Sequence, residues 1–122
     1  MKRKSRILVV EDDSIIREDI QRSLKTLGYP VAGAFTCAEE ALAEIESIRP
    51  DLVLMDIVLQ GRLNGIEAAC RIRSQFHVPV VFLTAYSDAI TLARAEEAKP
   101  AGFIFKPFSA RELDDAIRRA AE

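Results

Sequence analysis

Five short apolar runs punctuate this chain, each nearly continuous: Ile7–Val10, Val31–Phe35, Leu52–Met55, Val80–Leu83 and Phe103–Phe105. A strand with one face in water alternates apolar and polar residues, so unbroken runs of this length predict strands covered on both faces. The segments between them carry a different period. Ile16, Ile20, Leu24 and Leu27 fall on one helical stripe, and Ala38, Ala41, Leu42, Ile45 and Ile48 on another. Ile66, Ala69, Cys70 and Phe76 mark a third stripe, and Leu113, Ala116, Ile117 and Ala120 a last one. Residues 87–98 are also expected to be helical, but Ile90, Leu92, Ala93 and Ala95 scatter around the cylinder and leave no clear apolar face. Strands alternating with helices imply a parallel sheet with right-handed crossovers on both sides, an α/β fold of three layers.

Local punctuation agrees with this division. Thr36-Cys37-Ala38-Glu39 and Ser109-Ala110-Arg111-Glu112 fit the capping-box pattern, in which a hydroxyl and a carboxylate satisfy free helix amides reciprocally. Gly28 and Pro50 are placed to close the first two helices, Asp13 to start the first, and Asn64-Gly65 to lead a loop into the third. His77, ahead of Val78-Pro79, reads as a solvated loop residue. Arg111, Arg118 and Arg119 with Asp114 and Asp115 read as an exposed charged face. With 122 residues and no repeat or linker, the whole of 1–122 is expected to be one domain.

Composition excludes several roles. The 17 basic and 19 acidic residues leave no clustered positive excess, so neither direct nucleic-acid binding nor membrane attachment is expected. The basic start, Met1-Lys2-Arg3-Lys4-Ser5, is followed by an apolar run too short for a signal peptide, and no run approaches the ~18–20 residues of a membrane span. Cys37 and Cys70 form no CxxC pair and read as small helix residues. The cytoplasm is the expected compartment.

In sheets of this kind ligands bind beyond the carboxyl ends of the strands, and that is where polar chemistry collects. The first strand runs into Glu11-Asp12-Asp13, the third into Asp56, the fourth into Thr84 and the fifth into Lys106-Pro107. Carboxylates crowded on one rim would repel and raise one another's pKa. A divalent cation together with Lys106 balances the charges of Glu11, Asp12 and Asp56. With oxygen ligands alone, the metal should be hard, and Mg2+ is the expectation.

Ile7-Leu8-Val9-Val10-Glu11-Asp12-Asp13, Asp51-Leu52-Val53-Leu54-Met55-Asp56, Val81-Phe82-Leu83-Thr84-Ala85 and Lys106-Pro107-Phe108 together resemble the receiver domain of two-component response regulators, over essentially the whole chain and in order. The resemblance implies a flavodoxin-like, doubly wound five-stranded parallel sheet of strand order 2-1-3-4-5. It implies that Asp56 is the phosphoacceptor, taking a phosphoryl group from a histidine kinase or histidine phosphotransfer protein. It assigns metal ligation to Asp12, Asp56 and the backbone carbonyl of Val58, with Glu11 acting largely through water. Thr84 and Lys106 would hold phosphoryl oxygens. These roles agree with the chemistry, since phosphoryl transfer needs positioning and charge neutralisation more than covalent help, and an aspartate can be the nucleophile.

The same resemblance implies an output. Thr84 would move inward on phosphorylation and Phe103 would turn into the vacated space, remodelling the face of the fourth helix, fifth strand and fifth helix, through which a homodimer could form. It also implies a cis bond at Lys106-Pro107. The loop Ile57–Gly65 departs from the family pattern, being one residue longer and lacking its proline, with Gly61 placed to supply the turn; 98–102 is slightly extended. Val58 and Tyr86 offer no carboxylate or amide to orient a water, so self-dephosphorylation is expected to be slow, and no other enzymatic activity is expected. The alternative is a pseudo-receiver, an interaction module with the fold and no phosphoryl chemistry; the intact acidic group, hydroxyl and lysine weigh against it. An aspartyl phosphatase would want a second acid where Val58 stands.

Overall fold

A computed structural model describes residues 5–59, 64–85 and 89–121. Strands β1 (Ile7–Val10), β2 (Val31–Phe35), β3 (Leu52–Asp56), β4 (Val80–Thr84) and β5 (Gly102–Phe105) alternate with helices α1 (Ser14–Leu27), α2 (Ala38–Ile48), α3 (Gly65–Arg71), α4 (Ala89–Glu96) and α5 (Ala110–Ala121). The sheet is parallel, in the order β2-β1-β3-β4-β5. The expected fold class is therefore the observed one.

The three central strands are buried along their whole length, which is why their sequences are continuous runs. Alternate residues serve opposite sides. Leu8, Val10, Val53, Met55, Val80 and Phe82 pack under α2, α3 and α4 through Ala41, Ile45, Ala68, Ile72 and Ala95. Ile7, Val9, Leu52, Leu54, Val81 and Leu83 pack against Ile20 and Leu24 of α1 and Leu113 and Ile117 of α5. Each of the buried valine, leucine, isoleucine, methionine and phenylalanine side chains among them contributes about 1.5–3 kcal/mol. Slipping one strand by a residue would exchange the two sets, so register is tightly specified.

The ends of the helices confirm some expectations and correct others. Ser109 and Glu112 form their reciprocal cap, at 3.0 and 3.1 Å. Gly28 ends α1 in the left-handed region at φ 91°. The box expected at Thr36-Cys37-Ala38-Glu39 does not form. The helix starts one residue later, with Cys37 as its cap residue, so Glu40 takes the third position and receives the Thr36 hydroxyl and the Cys37 thiol instead. An unanticipated box joins Asn64 and Glu67 at the start of α3. Because α3 starts at Gly65, its inward face is Gly65, Ala68, Ala69 and Ile72, and Cys70 points to solvent, contrary to the expected stripe. The helix runs on as a π-type turn over Ile72–Phe76 and ends at exposed His77. Only Ala95 of α4 is buried, in keeping with its scattered apolar residues.

The charged face of α5 is less open than its sequence suggests. Asp114 accepts a hydrogen bond from the Tyr29 hydroxyl and pairs with Arg118 at 3.1 Å. Burial, then the Asp114 carboxylate, pushes the Tyr29 phenol above its ordinary value of 10.0. The fold thus favours the neutral phenol, and its contribution is full below about pH 10 and lost as pH rises through the higher folded-state value. Tyr29→Phe should cost about 2 kcal/mol at neutral pH, a deficit that urea denaturation should find shrinking above about pH 10.

Candidate functional site

The parallel topology brings the carboxyl ends of β1, β3, β4 and β5 to one rim, around a cleft of about 460 Å³. Glu11, Asp12, Asp56, Thr84, Lys106 and Val58 all line it. Asp13 stands at its margin and caps α1 by accepting the amides of Ile15 and Ile16. Phe103 lies outside the cleft, half-buried, its ring 5.8 Å from that of Phe82 and 6.4 Å from the half-exposed Phe105. Tyr86 and residues 60–63 of the loop after Asp56, with Gly61, fall outside the described residues.

Lys106 organises the charges. Its Nζ donates to Glu11 Oε1 at 2.7 Å and to Asp56 Oδ2 at 3.2 Å. The other Asp56 oxygen accepts the Val58 amide at 3.1 Å, so the carboxylate plane is fixed from both sides. Glu11 is fully buried. Burial raises its pKa and nearby Asp56 adds to the rise, while Lys106 and the Asp13 amide oppose it. Burial alone would lower the Lys106 pKa, but Glu11 and Asp56 outweigh it and hold the ammonium charged. The Lys106-Pro107 bond is cis.

Three carboxylates against one ammonium leave an excess of negative charge. Oxygens of Glu11, Asp12 and Asp56 lie within 4.8 Å of one another, a hard, all-oxygen donor set that fits a divalent cation such as Mg2+. Both Glu11 oxygens already have protein partners, whereas among the described residues nothing donates to the Asp12 carboxylate. Both Asp56 oxygens also have protein partners, so Asp12 is the carboxylate left open to an ion, with Asp56 beside it and the fully buried Glu11 behind.

Three contributors escaped the sequence reading. Thr91 of α4 and Ala85 line the cleft; α4 has too weak a pattern to show which residues face inward. Gly65 holds the base of the site. Its amide donates to the Ile57 carbonyl at 3.0 Å, and a Cβ built on it would overlap the carbonyl oxygen of Asp56. The Asn64-Gly65 pair signalled a turn, but not this close approach of backbone to backbone.

The sequence matches the family described as response regulator receiver domain over residues 7–118. It is 38% identical to the transcriptional regulatory protein PdtaR of Mycobacterium tuberculosis over 115 residues, covering 94% of this chain and 56% of that protein. It is 36% identical to the DNA-binding response regulator MtrA of Mycobacterium leprae, covering 94% of this chain and 50% of that one. The chain thus spans about half the length of these relatives. Its structure superposes with a TM-score of 0.93, at 36% identity, on the signal receiver domain of a modulated diguanylate cyclase from Desulfovibrio desulfuricans G20, covering 97% of this chain and 94% of the other.

Proposed function

We propose that this chain, which belongs to the response regulator receiver domain family, accepts a phosphoryl group on Asp56 from a phosphohistidine of a kinase or phosphotransfer protein. One observation carries the reading: the Asp56 carboxylate shares a cleft with Lys106, Thr84, Glu11 and Asp12, and Lys106 bridges Asp56 and Glu11. An Asp56 oxygen forms the new bond to phosphorus while the donor imidazole departs with the electron pair of the phosphorus–nitrogen bond. The Val58 amide and Lys106 aim that carboxylate before the donor arrives, which reduces the reorganisation required in the transition state. Lys106 and the Thr84 hydroxyl then take the phosphoryl oxygens. Asp12, Asp56 and the Val58 carbonyl would hold Mg2+, with Glu11 behind them; when bound, the ion supplies positive charge to the phosphoryl oxygens.

The chain acts as a switch and not as a turnover enzyme. New contacts between Thr84 and the phosphoryl group bias the packing of Phe103 against Phe82, and so the face of α4, β5 and α5. That face is where a second copy would pair. The exposed Val58 side chain has no group to orient a hydrolytic water, so the acyl phosphate should persist.

Incubation with acetyl phosphate and Mg2+, read by intact mass, tests the reading. The unaltered chain should gain one phosphoryl group and Asp56→Asn none. Omitting the cation should abolish the gain, and after donor removal the label should outlast several minutes. A chain that gains nothing, or gains equally in Asp56→Asn, would be a pseudo-receiver.

A further inference from the structure

Glu11 is held at every polar atom. Its amide donates to the Phe35 carbonyl at 3.0 Å, Lys106 donates to Oε1 at 2.7 Å, and the Asp13 amide donates to Oε2 at 3.1 Å. The fourth partner comes from outside the cleft: the Arg17 guanidinium donates to the Glu11 carbonyl oxygen at 2.9 Å. Asp12 follows directly in the chain, yet among the described residues its carboxylate receives no such bond. Its place in the acidic group therefore depends on the peptide joining it to Glu11. The oxygen of that peptide is the atom Arg17 grips.

Arg17 is suited to this by its position. It lies one turn inside α1, its own amide bonded to the Asp13 carbonyl at 2.9 Å, and its half-buried side chain folds back over the Asp12-Asp13 turn to the end of β1. A guanidinium is always charged and presents donors in a rigid plane.

We propose that Arg17 is a positioning residue for the cation-binding carboxylates, fixing the Glu11–Asp12 peptide so that Asp12 stays aimed into the cleft beside Asp56. The inference rests on the reading of this rim as a cation-assisted phosphoacceptor site. A peptide unit rotates as a plane. Without Arg17 the oxygen of this peptide loses its partner while the other Glu11 bonds remain, so the peptide is less firmly fixed and repulsion from Asp56 pushes the Asp12 carboxylate outward. Partners that orient metal ligands from behind are worth roughly 10–100-fold in affinity.

The test is cation affinity in the whole chain, measured by Mn2+ paramagnetic resonance and by Mg2+ calorimetry. Arg17→Met should weaken binding about tenfold. Arg17→Gln, too short to reach the carbonyl, should repeat that loss, and Arg17→Lys, which keeps a charged donor, should recover most of it. At saturating Mg2+ the rate of labelling by acetyl phosphate should return to that of the unaltered chain, a split between affinity and rate that general loosening would not give. Affinity within about twofold of the unaltered chain in both Arg17→Met and Arg17→Gln overturns the positioning role while leaving the parent reading standing. An unaltered chain that binds neither cation removes the parent reading, and this inference with it.

Discussion

Gly65→Ala should destabilise the chain by about 3 kcal/mol, because the added methyl collides with backbone and not with a side chain that could swing away. At this chain length that is roughly a 10 °C fall in midpoint on thermal denaturation. The collision falls on the carbonyl of Asp56 and on the backbone of Ile57, so labelling of Asp56 by a small phosphodonor should fall along with stability. Gly102→Ala provides the control. A Cβ there meets no atom within 4 Å, and its stability should be unchanged or raised by a few tenths of a kcal/mol, through a less flexible unfolded chain. Equal behaviour of the two variants would show that the approach of Gly65 to Asp56 carries no weight.

Lys106→Met keeps the aliphatic stem and removes the charge shared by Glu11 and Asp56. Stranding a fully buried partner typically costs 3–5 kcal/mol. Here the cleft opens to water and Glu11 can take up a proton, so about 2 kcal/mol is expected near neutral pH. The pH dependence follows from the direction of the shifts. Glu11 already has its carboxyl above its ordinary value of 4.5 in the folded chain. The fold thus binds that proton before the unfolded chain does, and the cost of the ionised group grows as pH rises through the folded value. Removing Lys106 takes away the strongest influence opposing that rise, so the costly window widens. Urea denaturation should find the deficit smaller near pH 5 than near pH 7. A deficit independent of pH would mean that the loss is one of packing. In the unaltered chain the Lys106 contribution is complete below about pH 10.5 and disappears as pH rises through its higher folded value.

The strands and the rim were legible because they are consequences of one physical fact. A parallel sheet covered on both faces needs continuous apolar runs, and polar residues placed just after those runs must meet at one edge. Glu11, Asp12, Asp56, Thr84 and Lys106 were found in this way, and the cleft contains all of them. What stayed hidden depends on distance or on a single residue of offset. Tyr29 and Asp114 lie 85 positions apart, and neither residue type signals the other. The box at Thr36 failed because two adjacent glutamates competed for the third helical position and the later one won. Cys70 was assigned to the buried stripe of α3 until the start at Gly65 fixed the phase of the helix. Arg17 resembles any polar residue on a surface helix, and only its reach to the Glu11 carbonyl distinguishes it.

The sheet order divides the site between mounts of unequal stiffness. Asp56 ends the central strand, which pairs with β4 through Asp56 and with β1 as far as Met55, whereas Lys106 follows a boundary strand paired on one side only. Any force between the carboxylate and the ammonium is felt equally at both anchors, and the outer one has fewer inter-strand bonds to resist it. If the proposed phosphoacceptor role holds, a change of charge at the cleft should therefore displace the outer mount more than the inner one.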